Sequence, residues 1–179
     1  MKMSLIRPDA AEYAAHFTPY IGLVPDGCLP DLLREQAERV KELFGAIREE
    51  DGDYRYAPDK WTVKEVLGHV IDTELIMTYR LMRVARGDRT PLPSFDENDF
   101  VRGGEFGRLS IADLLAHFGI VRQATLTLIE SMPEEAWERE GSVAGHPVTA
   151  RALAYIVAGH ERHHTRLLEE RYGAVIANA

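Results

Sequence analysis

The residues best placed to do chemistry are histidines, of which the 179-residue chain holds seven against a single cysteine. The run His160-Glu161-Arg162-His163-His164 brings three of them together. On an α-helix, at ~100° per residue, His160 and His164 lie one turn apart along the axis and ~40° apart around it. That is a usual spacing for two ligands of one metal ion. Leu153, Ile156 and Leu167 fall within ~40° of His160 and Val157 within ~60°, so both imidazoles sit in the middle of an apolar stripe. Buried polar groups need partners. Two neutral rings facing a core therefore either bind a metal or hydrogen-bond neighbouring side chains and carbonyls. His163, ~60° to the other side of His160, could replace His164 in the pair.

A third ligand would hold a divalent ion firmly while leaving coordination positions open, and the segment Gly68-His69-Val70-Ile71-Asp72 offers one. His69 shares a polar strip with Thr62, Glu65, Asp72, Thr73 and Arg80 on an otherwise apolar helix. Such a strip either faces water or lines an internal site. Asp72 could orient a ring or serve as a base, or be a solvated or arginine-paired acid. Glu161 is the other candidate proton carrier. Three neutral imidazoles with an open position have the layout of a catalytic metal site rather than a sealed structural one. Zinc is the default ion and nickel the alternative, since both suit imidazole. The ion's undiminished 2+ charge would lower the pKa of a bound water or thiol. The remaining histidines read more plainly: His16 lies in an irregular segment, His117 flanks an apolar stripe as a fourth ligand at most, and His146 in Gly145-His146-Pro147 reads as a turn residue. Cys28 has no histidine near it in sequence and cannot form an internal disulfide.

Four long helices must position these residues. The first is predicted over about 29–50, where Leu33, Ala37, Val40, Phe44 and Ile47 recur at steps of four and three. The second, about 62–86, opens on the capping-box pattern Thr62-Val63-Lys64-Glu65 and is apolar around much of its circumference. The third, about 110–132, carries the stripe Ile111, Leu114, Leu115, Phe118, Val121, Leu128, Ile129 and Met132. The fourth, about 149–172, is followed by Gly173 as a left-handed cap. No β-hairpin signal of weight is present. Residues 1–28, with Pro8, Pro19 and Pro25, read as an irregular arm over the bundle. The 87–109 connection is broken by prolines and glycines, with one helical turn allowed between Phe95 and Phe100. At ~3.3 Å per residue it could run the length of a helix, so the second and third helices could be parallel, joined by one long crossover. The expected architecture is a single all-α domain over residues 1–179, a four-helix bundle.

Composition narrows the function. The chain is 45% hydrophobic and 28% charged with a net charge of −8, which disfavours nucleic acid or an anionic membrane as partner. No apolar run approaches the ~20 residues that span a bilayer. The start Met1-Lys2-Met3-Ser4-Leu5-Ile6-Arg7-Pro8 lacks the apolar middle of a secretory signal, so a cytoplasmic location is expected.

Taken in order, these motifs resemble the DinB/YfiT-like metalloenzymes, a superfamily of four-helix bundles. The matching segments are 60–70 with Asp72 and Glu74, Tyr79-Arg80, the 85–93 loop with Phe95-Asp96-Glu97-Asn98, and Ala158-Gly159-His160-Glu161-Arg162-His163-His164. The likeness extends over nearly the whole chain, including the arm near Pro19-Tyr20. It implies that His69, His160 and His164 are the metal ligands and that the protein is a homodimer acting on a small-molecule substrate. His117-Phe118 departs from the pattern, because relatives often carry an acid before that phenylalanine. Enzymes of the superfamily transfer low-molecular-weight thiols such as bacillithiol or mycothiol, and one is a mycothiol-using maleylpyruvate isomerase. The expected activity is thus metal-dependent thiol S-transfer with a low-molecular-weight thiol as co-reactant. A metal-dependent hydrolase and a non-catalytic metal-binding stress-response protein are the alternatives.

Overall fold

The structure, a computed structural model, describes residues 5–176. In chain order its helices are α1 (Thr18–Gly22), α2 (Leu29–Gly45), α3 (Val63–Ala85), α4 (Glu97–Gly104), α5 (Ile111–Glu130), α6 (Ala150–Arg171) and α7 (Gly173–Ile176). Strands β1 (Glu140–Val143) and β2 (His146–Thr149) form one antiparallel hairpin. The four long helices, α2, α3, α5 and α6, make an all-α four-helix bundle. Their starts are fixed by local hydrogen bonds. Thr62 accepts from the Glu65 amide at 3.1 Å while the Glu65 carboxylate accepts from the Thr62 amide at 2.7 Å. Ser110 and Thr149 cap α5 and α6 in the same manner, accepting from Asp113 and Ala152. Each such cap stabilises its helix by about 1 kcal/mol.

Side-chain pairings give the direction of each helix. Along α3 and α5, Glu74 meets Arg122 and Thr78 meets Thr125, so both sequence numbers rise together and the two helices are parallel. The 86–110 connection must then return from the end of α3 to its beginning. Its Phe106 packs against Gly68, where a Cβ would collide with the ring. Lys64 at the start of α3 and the Ile111 amide at the start of α5 share the Glu49 carboxylate, at 2.6 and 2.8 Å. This is the long crossover. In α6 the order reverses against α3: Tyr172 donates to the Trp61 carbonyl at one end while His160 meets His69 further along.

Several expectations need correction. α2 stops at Gly45, short of Glu50, because the chain turns there to deliver Glu49 to Lys64 and Ile111. The β1–β2 hairpin was not anticipated. Its turn is Ala144-Gly145, both at positive φ (51° and 81°), and it lacks the Asn-Gly or Asp-Gly pair that would signal it. His146 begins β2 instead of forming the turn. Gly173 is not a left-handed cap; it opens α7, which carries Val175 into the core. The arm is less irregular than expected, since α1 and two 3-10 turns lie within residues 10–22. It is held by Arg7, which donates to the Ile21 and Val24 carbonyls, and by Glu12, which accepts from Arg151 and Thr149. Among the described residues no helix is long and apolar enough to cross a membrane.

The buried apolar residues fall into two clusters. One gathers Leu33, Met77, Leu81, Ile129 and the 150–158 part of α6; the other gathers Val40, Leu67, Val70, Phe118 and Leu168. Between them every long helix contributes buried polar groups at the same height: Gln36, then His69, Thr73 and Glu74, then Arg122 and Thr125, then His160, Glu161, His164 and Thr165. This polar belt contains the site.

Candidate metal centre

His69 on α3 and the His160/His164 pair on α6 meet in the belt because the two helices pack antiparallel with those turns opposed. All three are buried, at 2%, 7% and 6% exposure. Their ring centroids form a near-equilateral triangle: 4.8 Å from His69 to His160, 4.6 Å from His69 to His164, and 4.5 Å from His160 to His164. One ring nitrogen from each lies within 4.8 Å of the other two. Trp61 covers the cluster, its ring 4.6 Å from that of His69.

Burial keeps all three rings neutral at pH 7. It holds His69 at about 4, with the neighbouring His163 adding to the effect. Burial, then the proximity of His164 and His69, puts His160 well below its ordinary value, and burial with His69 and His163 brings His164 to about 2. Neutral imidazole is the form that binds metal. Within the protein alone the cluster is imperfectly satisfied. The Nε2 atoms of His69 and His160 face each other at 2.9 Å, where one proton can serve both, and His164 Nδ1 is buried with no hydrogen-bond partner. Nitrogens 2.0–2.1 Å from one tetrahedral zinc ion lie about 3.3 Å apart, so the triad, within 4.8 Å, fits a single divalent ion once its nitrogens draw together by up to about 1.5 Å.

A cavity of about 230 Å³ opens beside the triad, with His69 and His160 in its wall. Phe17, Met77, Phe95, Val148 and Leu153 make it largely apolar. Neither proposed proton carrier lines it. Asp72, three residues beyond His69, is turned away from the cavity; burial raises its carboxyl, with His117 of α5 partly opposing. Glu161, ~100° from His160 around α6, faces Arg122 and accepts from the Thr165 hydroxyl; burial pushes it up to about 7. His117 is exposed on α5, and Cys28 precedes α2 outside the cavity wall. His163 is half-buried against the Tyr20 ring, 5.1 Å away, and is not in the triad.

Other residues take their place. His16 and Tyr20 from the arm, Glu97 from α4 and His146 from the hairpin all line the cavity. The arm rests so closely on α6 that a Cβ at Gly159 would overlap the Tyr20 carbonyl. His16 and His146 face each other with centroids 6.5 Å apart. Being 130 residues apart in sequence, on an arm and a hairpin with weak local signals, they could not be paired from spacing. On α3 the signal was available, since His69, Thr73, Met77 and Arg80 lie on one helical face.

Residues 32–168 match the family model of the DinB superfamily. The chain belongs to the DinB superfamily. A curated protein of Geobacillus thermodenitrificans (strain NG80-2), named as a candidate metal-dependent hydrolase, is 23% identical over 137 residues, covering 74% of this chain and 76% of its own. Among solved structures, YfiT from Bacillus subtilis, described as a candidate metal-dependent hydrolase of unusual four-helix-bundle topology, superposes with a TM-score of 0.72 at 17% identity over 94% of both chains. A mycothiol-dependent maleylpyruvate isomerase superposes at 0.66 and 15% identity, over 82% of this chain and 61% of its own. The DinB-like YjoA of Bacillus subtilis gives 0.59 at 19% identity, over 80% and 87%. The four-helix bundle is therefore shared with these structures, and the three-histidine cluster accords with the metal-dependent naming of the Geobacillus protein and YfiT.

Proposed function

We propose that this DinB-superfamily chain is a metal-dependent enzyme whose ligands are His69, His160 and His164, and whose reaction is S-transfer from a low-molecular-weight thiol to an electrophile in the adjoining cavity. The observation that carries the reading is the buried triangle of neutral imidazoles opening onto an apolar cavity. Zinc is the favoured ion and nickel the alternative. A divalent cation held there supplies an undiminished 2+ charge that lowers the pKa of a thiol or a water. No thiol of the protein's own lines the cavity, since Cys28 lies outside it, and neither Asp72 nor Glu161 reaches the wall, where the one carboxylate is that of Glu97. A thiol, with an ordinary pKa near 8.5 against 15.7 for water, needs the least help from a base. The triad's part is to fix the cation, Trp61 covers it, and the apolar walls exclude bulk water.

Hydrolysis is the second reading, favoured by the names given to the Geobacillus protein and to YfiT. One assay separates the two. The zinc-loaded protein is incubated with monochlorobimane and bacillithiol, mycothiol or cysteine, and separately with p-nitrophenyl acetate without thiol. A thiol-dependent rate at least tenfold above chelated protein supports S-transfer. Thiol-independent ester turnover with no bimane conjugation overturns it in favour of hydrolysis, and absence of stoichiometric metal in tag-free protein overturns both. The exposed apolar stripe Leu75, Tyr79 and Met82 on α3 supports the homodimer that the family resemblance implies, and sedimentation would test it.

A further inference from the structure

Arg80 of α3 is a buried guanidinium without an acid. It is 5% exposed and lines the same cavity as His69 and His160. Its contacts are the Pro93 carbonyl, which accepts from Nη2 at 2.6 Å, the Met77 sulfur 3.6 Å from Nη1, and the Phe95 ring, whose centroid is 5.5 Å from the guanidinium carbon. No aspartate or glutamate among the described residues pairs with it, and burial lowers its pKa with no charge to offset the effect. The other deeply buried arginine is different. Arg122 meets both Glu74 oxygens at 2.8 Å and the Leu33 carbonyl at 2.7 Å. Buried charges are normally paired, so an unpaired one facing a cavity points to a partner that arrives from outside.

The rest of the wall narrows that partner. Arginine's planar fork matches a carboxylate or phosphate. No lysine or second arginine lines the cavity, and Glu97 does, so a second negative charge would be repelled. Thr73, between His69 and Arg80 on the same helical face, has a buried hydroxyl with no protein partner. The Met77 contact shows Arg80 folded back by about a turn, which leaves about two turns of helix, ~11 Å, between the guanidinium and His69.

Resting on the reading of this cavity as an active site, we propose that Arg80 receives the carboxylate of a monoanionic ligand whose apolar body fills the cavity, passes the Thr73 hydroxyl and presents its reacting end to the histidine triad. Arg80 is then the residue that sets substrate class, and the carboxylate lies remote from the bond that changes.

The test is calorimetric binding of octanoate, octanamide and octyl phosphate to chelated and zinc-loaded protein, in wild type, Arg80→Gln and Arg80→Lys. Octanoate is expected to bind wild type at least tenfold more tightly than the amide or the phosphate, with or without zinc. In Arg80→Gln the octanoate-to-amide ratio falls to about one, while Arg80→Lys keeps a ratio above one. Equal binding of octanoate and octanamide, no binding of either, tighter binding of octyl phosphate, or an octanoate preference untouched by Arg80→Gln overturns the proposal. Should Arg80→Gln fail to fold, the wild-type ratio and Arg80→Lys still decide. Protein that takes no zinc yet shows the Arg80-dependent preference overturns the metal reading alone; protein that takes zinc and shows no such preference overturns this one alone.

Discussion

At the scale of single residues, the question is which nitrogens close the site. The i, i+4 spacing of His160 and His164 was legible because helical geometry converts it directly into adjacency, and the rings do converge with His69 in the structure. The acids were not legible. Glu161 lies beside His160 in sequence, but one step on a helix is ~100°, enough to turn it onto Arg122 and Thr165 instead of the cavity, while Asp72, three residues past His69, is turned towards His117 of α5. The alternative ligand His163 separates cleanly from His164 by the same geometry. Alanine substitution of His69, His160 or His164 is therefore expected to reduce zinc affinity at least a hundredfold, whereas His163→Ala changes it by less than about fivefold. Competition with a chromophoric chelator would measure this, and a large loss in His163→Ala would return His163 to the ligand set.

At the scale of elements, the long helices could be read from stripes and caps because each signal is local: Thr62, Ser110 and Thr149 sit where their hydroxyls satisfy first-turn amides. The arm and the hairpin could not, since what holds them is tertiary. Glu12 on the arm accepts from Arg151 Nε at 2.6 Å and from the Thr149 hydroxyl at 2.7 Å, tying the arm to the start of α6. Burial alone would raise this carboxyl, but the hydrogen bonds from Arg151, the Asp9 amide and Thr149 outweigh it and bring it to about 2 from 4.5. A depressed carboxylate contributes stability that is complete above its unfolded value and is lost as pH falls through its folded value. Glu12→Gln is accordingly expected to lower the unfolding free energy by about 1.5–3 kcal/mol at pH 7. That gap should shrink as pH falls from 4.5 towards 2. Urea titrations of both proteins at pH 7, 4 and 2.5 would show it. A gap of constant size would mean that the Glu12 charge does not dock the arm.

At the scale of the whole molecule, the two apolar clusters are separated by a belt of polar groups, one contribution from each long helix. Sequence shows each of these residues as an interruption in a stripe. It cannot show that the interruptions share a height, because that depends on α3 and α5 running parallel. The belt has two halves: the histidine triad, which leaves His164 Nδ1 without a partner, and the Arg122–Glu74 pair, which is complete within the chain. If the second half is self-contained, its removal follows the rule for buried ion pairs. Arg122→Met leaves the buried Glu74 carboxyl, 3% exposed, without its partner, and is expected to cost about 3–5 kcal/mol. Removing both charges in Arg122→Met with Glu74→Leu leaves no buried charge of that pair. Glu161, raised to about 7 by burial, loses in the double variant both the opposing influence of Arg122 and the reinforcing one of Glu74. The double variant should then recover more than half of the loss in a urea-denaturation cycle. Simple additivity would show that the pair is not a unit and that Arg122 serves another belt member, for which Glu161 is the nearest acid in the same layer.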